Sequence, residues 1–285
     1  NYTERSFITA ANLSETIEKL RAESIAVKSV STKSQEIVFS FPGQGSQFPT
    51  MGKELYASLP IFKAAVDECI AFAEKEAGKP LFPILFPEKV TAENAEELNQ
   101  TENAQIGIFI IGYALAKIWM QAGLKPSALI GHSIGEFVAA HLAGVFTLAD
   151  AIKIVIARGK LMAAMPKGSM LAIRAKHTEI VPTLPAHLSV AAVNSPDLFV
   201  VAGETADIEI YAQHLESKGI SAKKLQTSHA FHSAMMDAAV PPFLAVIQEI
   251  GLHKPQLPIC STVTGTWLKD SEATDPQYWA THLRN

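Results

Sequence analysis

The stretch GHSIGEF, Gly131 to Phe137, sets a serine between two glycines where an apolar run ending at Ile130 gives way to the helix-prone VAAHLAG. A serine hydroxyl becomes a nucleophile when a base takes its proton, and a strand, turn, helix arrangement can hold such a serine at an exposed apex. Flanking glycines let the backbone turn sharply there. Backbone amides at the start of the following helix can then stabilise a developing negative oxygen. The plainer reading is a tight turn with a capping serine. Ser133 is the candidate nucleophile, and it needs a histidine.

Nine histidines are available. His132 is adjacent and is expected to point elsewhere, and His141 falls on the helix behind the turn as a structural residue. His177, His187, His214, His253 and His282 lie among polar residues and are expected at the surface. His229 and His232, in TSHAFHSAMMD, remain, at a junction where a strand ends and a helix begins. A second glycine-rich turn, PGQGSQ, follows the apolar strand EIVFSF (Glu36 to Phe41). Neither GKS nor GKT comes after it, so it does not read as a nucleotide-binding loop.

The elements that must position these residues alternate between strand and helix. The opening SFITAANLSETIEKLRAE predicts a short strand and a helix capped by Ser14. A polar linker leads to EIVFSF, and helical periodicity begins near Gly52. A proline-containing connection over Pro80 to Pro87 precedes a long helix over about Gln105 to Ala122. SALIGHS is the next strand and turn. That alternation argues for an α/β fold with a largely parallel sheet. Residues 168–228 have another rhythm: strand SMLAIRA, short helix EIVPTL, strands LSVAAVNS and LFVVAGE, helix ADIEIYAQHLESKG and strand AKKLQTS. The order βαββαβ is ferredoxin-like, as of a small lobe inserted into the larger domain.

A chain of 285 residues, 48% of them hydrophobic, can bury a sizeable core. Its 24 basic and 28 acidic residues are nearly balanced and form no long run, which argues against a nucleic-acid partner. Cys69 and Cys260 belong to no CxxC pattern, so neither a disulfide framework nor a metal site is indicated, and a reducing compartment fits. The longest apolar stretch, Ile106 to Ala116, is interrupted by Lys117 and is too short for a bilayer. With no signal peptide at its start, the chain is expected to be cytoplasmic, without a membrane partner. It opens without methionine and reads as a piece of something longer.

Five motifs in order carry a resemblance: FPGQGSQ (Phe41 to Gln47), GHSIGE (Gly131 to Glu136), ARGKLM (Ala157 to Met162), NSPDLFVVAG (Asn194 to Gly203) and SHAFHSAMMD (Ser228 to Asp237). They resemble the malonyl-CoA:acyl-carrier-protein transacylases, and most closely the acyltransferase domains of modular type I polyketide synthases. The resemblance covers nearly the whole chain. It implies a large α/β-hydrolase-like subdomain, residues 36–167 and 229–285, with an inserted ferredoxin-like subdomain at 168–228. Residues 1–35 resemble the end of the linker from an adjacent ketosynthase. YWATHLRN, Tyr278 to Asn285, stops where the family continues, so a stabilising C-terminal segment is expected to be missing.

The resemblance also implies a reaction. Ser133 would take an acyl group from malonyl-CoA and pass it to the phosphopantetheine thiol of an acyl carrier protein, with no bound cofactor. His232 takes the family's base position, its imidazole oriented by a backbone carbonyl expected from Ser261 or Thr262. The amides of Gln44 and Ile134 would form the oxyanion hole. Arg158 aligns with a carboxylate clamp, whose planar guanidinium can bind a malonyl carboxylate through two parallel bonds. Gln105 and Asn194 match residues near the cleft. The motif HAFH, with His229 and Phe231, accompanies malonyl units, where YASH accompanies methylmalonyl, and Ile134 points the same way. The alternatives are a methylmalonyl-using transferase, or a serine hydrolase with the same Ser-His cleft.

Overall fold

The computed structural model describes residues 4–22, 28–29 and 36–285. The chain divides into two units, Asn1–Glu36 and Ile37–Asn285. In the first, the two-residue strand Glu4–Arg5 pairs antiparallel with Lys28–Ser29. The helix Leu13–Arg21 follows, and its cap is Asn12, not Ser14: the Asn12 side chain accepts from the Glu15 amide at 3.0 Å. The Glu15 carboxylate returns to the Ala11 amide at 2.7 Å, a reciprocal pairing that Ser14, already inside the first turn, could not make. Much of the polar linker expected after this helix lies outside the described residues.

The second unit contains two sheets. The parallel sheet has the order Val38–Phe41, Ala128–Gly131, Ile259–Cys260, with Phe41 level with Gly131. The other is antiparallel, in the order Ser189–Ser195, Leu198–Gly203, Ser169–Arg174, Ser221–Lys224. With helices at His177–Ile180 and Thr205–Ser217 between the strands, this is the ferredoxin-like topology. The architecture is thus α/β, with an α/β-hydrolase-like body and a ferredoxin-like insertion.

Both faces of the antiparallel sheet are covered, which explains why LFVVAG is apolar throughout. Successive strand side chains point to opposite faces. Phe199 and Val201 join a small core with Leu171, Ile173, Ile208 and Leu215, while Val200 and Ala202 join the main core. The main core is built around the helix Thr101–Gln121, the elbow helix Ile134–Leu142 and the helix Leu148–Ala163. The first begins four residues before the expected Gln105, because the polar residues Thr101 and Asn103 are themselves packed inside. It is long and apolar enough to cross a membrane by length and composition, but most of it is buried in the protein, as for a core helix. The C-terminal helix Pro276–Arg284 closes the unit with Trp279 and Leu283 fully buried.

Candidate active site

Ser133 occupies a backbone conformation of φ 50° and ψ −115°, between the strand Ala128–Gly131 and the elbow helix. A non-glycine residue held there costs on the order of 1–3 kcal/mol and persists only where the surroundings enforce it. Here the enforcement is steric. A Cβ at Gly131 would meet the backbone of Gly135 and Glu136, and one at Gly135 would meet the Phe41 carbonyl oxygen. The chain therefore crosses itself at both glycines, which holds Ser133 at the apex of the turn. PGQGSQ is packed just as closely: a Cβ at Gly43 would lie 2.5 Å from Nδ1 of His132. That contact accounts for the exposed His132, which faces this turn rather than the hydroxyl.

Two side chains converge on Ser133. Its Oγ is 2.8 Å from Nε2 of His232, and Nη2 of Arg158 donates to the same Oγ at 3.0 Å. His232, itself at φ 55°, has Nδ1 at 3.2 Å from the main-chain oxygen of Asn285. Nδ1–H donates there, which leaves Nε2 free to accept the serine proton. The orienting oxygen is therefore that of Asn285, not of Ser261 or Thr262. Those two residues are turned to another task, bonding Tyr278 and Glu136. Burial, then the charge on Arg158, then His282 and His132 hold His232 well below the usual histidine range, with the Asn285 bond opposing. A neutral imidazole at neutral pH is the form a base requires.

Arg158 is 1% exposed on the helix Leu148–Ala163. Its Nη1 donates to Oε1 of Gln105 at 2.7 Å, its guanidinium lies 5.6 Å from the Phe137 ring centre, and its Nε–H has no partner among the described residues. Among the described residues no carboxylate touches it. Burial pushes its pKa down to about 9, the Glu136 carboxylate opposing, so it stays cationic at neutral pH. A buried cation with an unspent donor is suited to an anionic group brought in from outside.

The remaining candidates divide. Gln105 is fully buried and fixed between Arg158 and Sδ of Met162, at 3.4 Å. Gln44 is half-buried, its side chain 3.4 Å from Oγ1 of Thr101. Among the described residues neither the Gln44 amide nor the Ile134 amide has an acceptor. His229 and Phe231 are buried with ring centres 5.7 Å apart, and Nδ1 of His229 is 2.7 Å from Oγ of Ser228. Asn194 is exposed near the end of the strand Ser189–Ser195 and has no hydrogen bond to this cluster. His141 is structural, with Nδ1 3.1 Å from the Phe146 carbonyl. His282, expected at the surface, is fully buried against Glu136 and Phe137. The signal was its spacing, one turn after Tyr278 and next to Leu283 on an amphipathic helix.

A strained serine on an elbow, a histidine in contact with it and a buried arginine bonded to the same hydroxyl lie together in one α/β unit. The chain matches the acyl transferase domain family over residues 38–285, and it belongs to that family. It is 38% identical over 252 residues to the spectinabilin polyketide synthase system protein NorB of Streptomyces orinoci, covering 87% of this chain and 12% of that protein. The chain thus spans only a small part of this relative's length. The acyltransferase domain from the second module of the salinomycin polyketide synthase superposes with a TM-score of 0.89 at 35% identity, covering 99% of this chain and 67% of that one. A malonyl-transacylase, solved with its type II polyketide synthase acyl-carrier protein, gives a TM-score of 0.75 at 28% identity, covering 88% and 82%.

Proposed function

We propose that this chain is the acyltransferase domain of a modular type I polyketide synthase, loading a malonyl unit from malonyl-CoA onto the phosphopantetheine thiol of an acyl carrier protein. The observation that carries the reading is one serine hydroxyl in contact with both a neutral imidazole and a buried, incompletely partnered guanidinium. Likeness to a malonyl-transacylase solved with its carrier protein supports the substrate and the partner.

Nε2 of His232 takes the Ser133 proton as Oγ bonds to the thioester carbonyl carbon. The amides of Gln44 and Ile134 hold the oxyanion. The carbon–sulfur bond then breaks, and the CoA thiolate leaves with the proton from His232. In the second half the carrier thiol gives its proton to Nε2, and its sulfur bonds to the ester carbon. The carbon–Oγ bond breaks, and Oγ regains the proton. Arg158, aligned by Gln105, receives the free malonyl carboxylate. Phe231 fills the volume an α-methyl group would need, a preference of roughly 1–3 kcal/mol. In this reading residues 1–35 end the linker from an adjacent ketosynthase, 168–228 form the small subdomain, Asn194 faces the cleft from it, and the synthase works in the cytoplasm.

The test is intact-protein mass spectrometry after brief incubation with equal malonyl-CoA, methylmalonyl-CoA and acetyl-CoA. A malonyl adduct is expected, absent in Ser133→Ala. In Arg158→Ala the preference for malonyl over acetyl should fall by about 2–5 kcal/mol, which is at least roughly 30-fold. A dominant methylmalonyl adduct would overturn the specificity alone. Free acid accumulating in the presence of carrier protein would replace transfer with hydrolysis.

A further inference from the structure

Three residues beyond Ser133, Glu136 has no exposed surface. Burying a carboxylate is costly unless donors replace the lost water, and a hydrophobic residue would fill the same space without that cost. The donors are present. Oε2 accepts from the amide of Thr262 at 2.8 Å and from its hydroxyl at 2.6 Å, and Oε1 accepts from the Tyr278 hydroxyl at 2.5 Å. Nε2 of His282 lies 3.4 Å from Oε2, and Oγ of Ser261 is 2.6 Å from the Tyr278 hydroxyl. Burial alone would raise the carboxyl's pKa, but His282, Thr262 and Tyr278 outweigh it, and Glu136 remains ionised.

Those bonds close a circuit through the site. Tyr278 and His282 sit one turn apart on the C-terminal helix Pro276–Arg284. The next residue, Asn285, supplies the oxygen on Nδ1 of His232, and Nε2 of His232 meets Ser133. The first turn of the elbow helix is thereby bonded to the same helix that carries the acceptor for the histidine. Directional bonds to a buried carboxylate fix the separation and rotation of two helices more tightly than apolar contact does.

We propose that Glu136 is a positioning residue for acyl transfer, holding the C-terminal helix so that the Asn285 oxygen keeps His232 aligned with the Ser133 hydroxyl. The inference rests on the reading of Ser133 and His232 as nucleophile and base. Small displacements of a reacting pair lower rates on the order of 10- to 100-fold, so a loss of that size is expected in Glu136→Gln. Tyr278→Phe, which deletes one donor, should lose less, in the same sense.

The experiment follows acylation of Ser133 by malonyl-CoA in the whole chain by rapid quench and intact mass spectrometry, reading both the final adduct fraction and the saturating rate. A positioning role predicts a full final fraction reached slowly, with the half-saturating malonyl-CoA concentration within about twofold of the unaltered chain. A merely structural role lowers the final fraction and leaves the rate of the folded molecules unchanged, and that result overturns the inference. If Glu136→Gln does not fold, Tyr278→Phe decides by the same two readings. Rates equal to the unaltered chain in both variants would also overturn it. An unaltered chain that takes no acyl group at Ser133 overturns the parent reading, which separates that failure from this one.

Discussion

His232 is neutral where an exposed histidine would be half charged, because burial and the Arg158 guanidinium both disfavour a second positive charge in the same pocket. The sign of this shift makes a prediction about rate. With His232 as the proposed base, its protonation stops acylation, and a lowered pKa moves that loss to the acid side of 6.5, the ordinary histidine value. The rate of Ser133 acylation, followed between about pH 5 and 8, should hold nearly constant through 6.5 and fall only below it. A half-maximal rate at or above 6.5 would contradict the burial argument. Stability runs with the same sign. Below 6.5 the unfolded chain binds a proton that folded His232 refuses, so this residue's contribution to stability is lost as pH falls.

The elbow depends on one helix and two strands approaching within backbone contact. Gly135 is where the elbow helix meets the Phe41 carbonyl, and the clash is with backbone, which cannot swing aside as a flexible side chain does. Gly135→Ala should therefore cost about 1–3 kcal/mol in chemical denaturation, the range for inserting a methyl group into a filled space. It should also displace Ser133, so acylation should fall together with stability. An alanine variant with unchanged stability and rate would show that the crossing is looser than the geometry requires. The long helix Thr101–Gln121 and the helix Leu148–Ala163 act as a pair, since they bring Gln105 and Arg158 within 2.7 Å from positions 53 residues apart.

At the scale of the whole molecule, the C-terminal helix fastens the body. Trp279 is fully buried, packs on Phe137 at 5.4 Å and Phe146 at 5.5 Å between ring centres, and donates its indole N–H to the Ala273 carbonyl at 2.9 Å. Trp279→Ala should cost about 3–5 kcal/mol in urea unfolding. Against a total of about 5–15 kcal/mol that is a large share, and partial unfolding at ordinary temperature is the expected outcome. Because the same helix leads to Asn285, the folded fraction of this variant should also acylate more slowly. A stability loss with an unaltered rate in the folded fraction would separate the two roles of the helix.

Local patterns in the sequence were enough to show the alternation of strand and helix and the turn at Ser133. Glycines around Ser133 mark a sharp turn wherever the chain folds, and period-2 and period-3.6 spacing depends only on neighbours along the chain. The βαββαβ order of 168–228 was legible for the same reason. Sequence alone also narrowed nine histidines to His229 and His232. Tertiary structure decided which atoms meet. The oxygen on His232 belongs to Asn285, 53 residues away, although Ser261 and Thr262 were the expected source. His282 is buried rather than solvated because its helix turns that face to Phe137 and Glu136. Glu136 shares the GHSIGE motif with Ser133, but its donors come from Thr262 and Tyr278, which lie more than a hundred residues further on. A side chain's partners across the chain follow from how packed helices set their distance and rotation, and no spacing within a segment carries that information.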